Sequence, residues 1–169
     1  MIDAAKAKYP DKPIRYLVLT HHHMDHTGGM RTFVAEGAKV IVPSGDKGYF
    51  EKDVRARHTI VSDDLQKKPR KAEILEVADQ MTLRDDTTEI HIYNITNPHV
   101  RGFLLAHVLT GNILYVTDLI SARGPIERSP GTVAVGEVLR KYGITDATIA
   151  CGHGTTAKQT EIAAALAAK

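Results

Sequence analysis

Ile14 to Thr20 (IRYLVLT) runs directly into His21-His22-His23-Met24-Asp25-His26, and no other stretch restricts the fold of this chain so tightly. The apolar segment is short and rich in β-branched and aromatic residues, so it predicts a buried strand. The polar run starts where that strand stops, which collects its side chains at one end of a sheet. His21 and His23 are two residues apart, and in near-extended backbone that repeat points both side chains the same way. Asp25 and His26 come after the chain turns toward Gly28-Gly29. A helix is expected over about residues 29–37, stopped by Gly37. Lys39 to Val42 (KVIV) predicts the next strand, cut off by Pro43. A β-loop-α-β unit favours parallel strands with a site at their carboxyl ends.

Divalent cations such as zinc take neutral imidazole nitrogens and carboxylate oxygens. His21 and His23 can therefore share one metal, while Asp25 and His26, on the turned chain, can face a second. His22 lies between two ligands and points away from them. The bland alternative is a solvated, tag-like histidine tract. Four ligand-type side chains at this spacing, at a strand end and before Gly-Gly, weigh against it. The chain has nine histidines in all, and four of them fall within these six residues.

The remainder reads as one domain over residues 1–169. Residues 2–8 predict a short opening helix. Residues 44–72 are polar with weak periodicity and are expected to form a mobile or partly helical excursion. Within it, Lys67-Lys68-Pro69-Arg70-Lys71 reads as a solvated loop rather than a binding arm. Glu73–Val77, Met81–Leu83 and Glu89–Tyr93 alternate with period two and predict antiparallel strands, with Asp85-Asp86 as a turn. Phe103–Leu109 and Ile113–Thr117 flank Thr110-Gly111-Asn112, which predicts a hairpin. A helix over about residues 132–142 should end at Gly143, and Thr148–Cys151 should be a last strand leading into Gly152-His153-Gly154. Thr156-Ala157-Lys158-Gln159 fits a capping box for a closing alanine-rich helix. With 43% apolar and 25% charged residues, the composition is that of a soluble globular protein. A net charge of +2 does not argue for nucleic acid or an anionic membrane. No apolar run approaches the roughly 20 residues that cross a bilayer. The single cysteine, Cys151, allows no internal disulfide and is expected to be a small packing residue. Met1–Lys6 shows no export-type apolar segment, so a cytoplasmic location is expected.

Leu17 to Phe33 (LVLTHHHMDHTGGMRTF) resembles the signature of the metallo-β-lactamase superfamily. The resemblance implies an α/β (α+β) fold of the αββα sandwich type and a dinuclear metal-dependent hydrolase. It implies three further ligands downstream, in order: His99 in Asn97-Pro98-His99-Val100-Arg101-Gly102, a bridging Asp118 in Leu114-Tyr115-Val116-Thr117-Asp118, and His153 in Cys151-Gly152-His153-Gly154. His107 competes for the third histidine position. If the hairpin turn centres on Gly111, Asp118 lies across from about Leu104 and His99 just beyond it, while His107 pairs near Tyr115, well inside; this favours His99. His58 and His91 have no partner motif. On the implied assignment His21, His23 and His99 hold one metal, Asp25, His26 and His153 the other, and Asp118 bridges them. Asp25 is also the candidate catalytic residue, orienting a hydroxide and passing on its proton. Two divalent ions are expected, zinc foremost, with manganese, iron or cobalt also suited to nitrogen and oxygen donors.

Within the resemblance, His23 stands where the flavodiiron branch shows glutamate, and Asp118 where some β-lactamases place cysteine, which disfavours both groups. The long insertion of the nucleic-acid-processing branch and the helical domain of glyoxalase II are not found. What remains is hydrolysis of a small-molecule ester, thioester, lactone, lactam, or phosphate or sulfate ester. Family members carry several strands before the histidine run, whereas 20 residues precede His21 here. An N-terminally truncated sandwich is therefore expected, with an open sheet edge and an uncovered apolar face. Such a chain would pair with a second copy or a complementing polypeptide, or be a metal-binding fragment without activity of its own.

Overall fold

The computed structural model describes residues 1–168. It divides into two compact units, Met1–Glu76 and Val77–Lys169.

The first unit runs α1 (Ile2–Lys8), β1 (Tyr16–Val18), α2 (Met24–Thr27), α3 (Met30–Glu36), β2 (Lys39–Pro43), α4 (Lys47–Arg55) and α5 (Asp64–Lys67), and ends in β3 (Ile74–Val77), which crosses its boundary. β1, β2 and β3 form a three-stranded sheet in that order, with β1 and β2 parallel and Leu17 opposite Val40. β2 is central, and Val40, Ile41 and Val42 are all fully buried, as an unbroken Val/Ile run requires. Gly37 ends α3 in the left-handed region at φ 97°, a conformation that costs a glycine no Cβ clash. The excursion after β2 is largely helical and contributes to the core: Phe50 and Val54, one turn apart on α4, and Leu65 on α5 pack with Leu19, Met30, Val34, Val40, Val42 and Ile74. Its polar appearance follows from a narrow apolar stripe on short helices. The buried Arg31 pins it, forking onto Asp63 at 2.5 and 3.1 Å and donating to the Val54 carbonyl. Asp63 also caps α5, accepting from the Gln66 amide at 2.7 Å.

The second unit is a six-stranded sheet, β4 (Gln80–Arg84), β5 (Glu89–Asn94), β6 (Leu104–Val108), β7 (Ile113–Ala122), β8 (Thr148–Gly154) and β9 (Thr156–Lys158), in that order, with α6 (Pro130–Lys141) and α7 (Gln159–Ala167). β4 to β7 are antiparallel; α6 then carries the chain over so that β8 runs parallel to β7, and β9 returns antiparallel to β8. Ser129 caps α6 by accepting from the Thr132 amide at 3.1 Å, and Pro130 follows at the first helical position, where its missing N–H costs nothing. The core joins Phe103, just before β6, and Leu105, Leu114 and Val116 of the sheet to Val135, Val138 and Leu139 of α6 and Ile162 of α7.

Three expectations change. Glu73–Val77 does not continue into the antiparallel strands, because β3 belongs to the three-stranded sheet. The β6–β7 hairpin is one residue out of the expected register, with Ala106 opposite Tyr115 and His107 opposite Leu114. Its four-residue loop closes with the Asn112 amide donating to the Leu109 carbonyl at 3.0 Å, and Gly111 and Asn112 take φ 85° and 50°. Thr156 is a strand residue rather than a cap; the closing helix instead starts after Lys158, whose amide donates to the Glu161 carboxylate at 2.6 Å.

Candidate metal centre

In the first unit the ligand-type residues follow β1 directly. His21 is fully buried, and its Nδ1 lies 3.1 Å from Thr20 Oγ1, which turns Nε2 toward His23. His21 Nε2 and His23 Nδ1 are 3.0 Å apart. Two imidazole nitrogens on one tetrahedral zinc would be about 3.3 Å apart, given bonds of about 2.0–2.1 Å. The pair thus fits a shared cation, as its spacing predicts. His23 is still extended, at φ −64° and ψ 143°, and α2 begins at the next residue. That change carries Asp25 and His26 onto a helical turn, where His26 Nε2 is 3.3 Å from Asp25 Oδ2 and the His26 ring lies 4.4 Å from that of His21. His22 turns to Tyr49, ring edge to ring at 5.6 Å, and its carbonyl accepts from the Tyr49 hydroxyl at 3.3 Å.

In the second unit His99, Asp118 and His153 come together. Asp118 Oδ2 lies 3.0 Å from His99 Nε2, and Asp118 Oδ1 lies 2.8 Å from His153 Nε2. A bulge produces this. Between the pairs Val116–Cys151 and Ser121–His153, β7 advances from residue 116 to 121 while β8 advances only from 151 to 153. The extra residues re-aim Asp118, the usual consequence of a bulge. Thr117, wholly buried, donates to Asp118 Oδ1 at 3.1 Å. Gly152 lets β8 pass, since a Cβ there would collide with the Thr117 side chain. His99 sits on a loop held by Asn97, whose Oδ1 accepts from the His99 and Val100 amides at 2.9 and 3.0 Å.

The other histidines have different neighbours. His107 is buried inside the hairpin with Nε2 2.9 Å from Asn112 Oδ1, and Asn112 donates to the Thr145 carbonyl, tying the turn to the connection between α6 and β8. His91 Nε2 is 2.6 Å from Glu89 Oε1, and His58 Nδ1 is 3.4 Å from Asp63 Oδ2. Cys151 packs against the core, and burial pushes its thiol pKa up, away from nucleophilic thiolate. Thr20 and Thr117 act on candidate ligands, and Tyr49 on His22 between them, without having been found in the sequence. The two threonines each precede a candidate ligand, a cue too common to read alone, and Tyr49 leaves no local cue.

The chain belongs to the metallo-beta-lactamase superfamily, whose family model matches residues 1–153. Solved structures share its fold. A superfamily protein from Sulfolobus tokodaii is 20% identical, with 90% of this chain and 66% of that one covered and a TM-score of 0.62. The rubredoxin:oxygen oxidoreductase of Desulfovibrio gigas is 17% identical, covering 96% and 45%, with a TM-score of 0.69. A sec-alkylsulfatase from Pseudomonas sp. is 19% identical, covering 96% and 33%, with a TM-score of 0.61. The chain thus spans 66% of the first of these structures and less of the other two. No curated protein matches in sequence. The fold is the mixed α/β, αββα class expected, and it carries histidine and aspartate sets suited to metal. Among the described residues no helix is long and apolar enough to cross a membrane.

Proposed function

We propose that this protein is a dinuclear metal-dependent hydrolase, acting on a small-molecule ester, thioester, lactone, lactam, or sulfate or phosphate ester. The observation that carries the reading is Asp118, a carboxylate with each oxygen directed at a different histidine. A carboxylate aimed at two partners in this way suits a bridge between two cations. In this reading His21, His23 and His99 hold one ion, Asp25, His26 and His153 the other, and Asp118 both. The donors are all nitrogen and oxygen, which suits zinc first, and manganese, iron or cobalt by availability. When bound, the ions would supply a hydroxide nucleophile near neutral pH and a Lewis acid for the substrate oxygen.

The residues themselves divide the remaining work. Asp25, 62% exposed at its side chain, can take the nucleophile's proton and hand it to the leaving group. Thr20 and Thr117 fix the orientation of His21 and Asp118, as the outer hydrogen bonds of metal ligands commonly do. His23 favours hydrolysis over the redox chemistry named for the Desulfovibrio relative, since the resemblance places glutamate there in that branch. A small-molecule substrate and a cytoplasmic location complete the reading, the latter checked by cell fractionation.

Metal analysis is the test. About two equivalents per chain are expected, falling in His21→Ala and Asp118→Ala, with turnover on at least one substrate of the panel above. Less than about a tenth of an equivalent after reconstitution would falsify the metal reading. Full loading with no turnover would instead support a metal-binding, inactive or partner-dependent fragment. That second reading draws on the 66% of the Sulfolobus chain that this one spans.

A further inference from the structure

The first unit has a cavity of about 380 Å³, at the small end of ligand-sized pockets, away from the histidine run. Its floor is the edge of the core, Val54, Leu65 and Ile74. Four cationic side chains line it: Arg31, Arg55, Arg70 and Lys71. Two are already neutralised, Arg31 by the fork onto Asp63 and Arg55 by Glu51 at 3.1 Å. Arg70 and Lys71 make no ion pair among the described residues, and both come from the basic run that the sequence presents as a plain solvated loop. The Arg70 guanidinium lies against Gly37, where an added Cβ would collide with it, and both Arg70 and Lys71 are exposed. Apolar floor and two uncompensated cations coincide in one cavity.

We propose that this cavity binds a small amphiphilic carboxylate, with its oxygens on Arg70 and Lys71 and a short aliphatic chain over Val54, Leu65 and Ile74. A guanidinium and an ammonium together recognise a carboxylate by charge-assisted hydrogen bonds. The aliphatic chain lies over Val54, Leu65 and Ile74, which are 9%, 5% and 7% exposed, and covers the small apolar area they leave at the floor. The site is independent of the metal reading, and nothing in it requires a cation.

The test is an amide chemical-shift titration of the full chain with hexanoate, 1-hexanol and inorganic phosphate, each in the presence and absence of chelator. Hexanoate should saturate and shift residues around Val54, Leu65 and Arg70–Ile74, with the same result in chelator. Both controls should bind about tenfold more weakly or worse, each lacking half of the recognition. Arg70→Gln combined with Lys71→Gln should weaken hexanoate by about tenfold or more with the melting temperature unchanged. Should the double variant fold poorly, Lys71→Glu alone should weaken hexanoate. Equal binding of hexanol or phosphate, no saturation, or hexanoate binding that survives these substitutions would overturn the proposal.

Discussion

Asp118 depends on Thr117 for its aim, and Thr117 depends on Gly152 for its space. Replacing the Thr117 hydroxyl by a methyl keeps the shape and removes the donor to Asp118. Thr117→Val should therefore lower metal affinity about tenfold, by analogy with other outer-shell losses, while leaving secondary structure intact. Competition with a chromophoric chelator measures the affinity and circular dichroism the fold; unchanged affinity would detach Thr117 from the site. Legibility at this scale was uneven. His21 and His23 could be paired from the chain alone, because the two-residue repeat of extended backbone acts over a few ångströms. Thr117 could not, since its role depends on how closely β8 passes it.

The excursion that reads as polar in sequence is fixed by Arg31 and Asp63. The Arg31 guanidinium holds the Asp63 carboxyl well below its usual range, at about 2. The folded value lies below the unfolded one, so the unfolded chain binds more protons as acid is added. The pair's contribution is accordingly full above about pH 4 and lost as pH falls through about 2. Thermal melts across that window should show the slope, and Asp63→Asn should flatten it. In the second unit, α6 packs so closely on β7 that a Cβ at Gly131 would collide with the Leu119 backbone. Gly131→Ala should cost about 1–3 kcal/mol by overpacking, read from urea denaturation. The same shift would disturb the bulge that carries Asp118, so metal affinity should fall with stability. Strand and helix periodicity announced most of these elements. The bulge was silent, because it is a mismatch between two strands about thirty residues apart rather than a property of either.

Across the whole molecule, the candidate ligands divide four to three between the units, His21, His23, Asp25 and His26 in the first and His99, Asp118 and His153 in the second. Under the proposed function the two sets share cations, so metal should stabilise the chain as a whole. Saturation at about a hundredfold over Kd adds roughly 2.7 kcal/mol, and chelation should lower the melting temperature accordingly. A melting temperature indifferent to chelator would argue against shared ions. β1 is an edge of the three-stranded sheet, with Tyr16 partly exposed. We propose that this edge pairs with a second copy or a separate polypeptide; a strictly monomeric, well-folded species by light scattering would count against both.

What the sequence determined by itself was local: a strand end, a turn, and four donors presented at known angles by backbone geometry that repeats every two or every 3.6 residues. The family resemblance added the identities of His99, Asp118 and His153, though not their arrangement. Only the tertiary structure decided that Asp118 turns one oxygen to His99 and the other to His153. It also decided that β3 joins the other sheet, and that Arg70 and Lys71 share a cavity with the core edge. Each of these rests on register and packing between segments distant in the chain. Their outcome is a balance of many small contacts that no single stretch of residues contains.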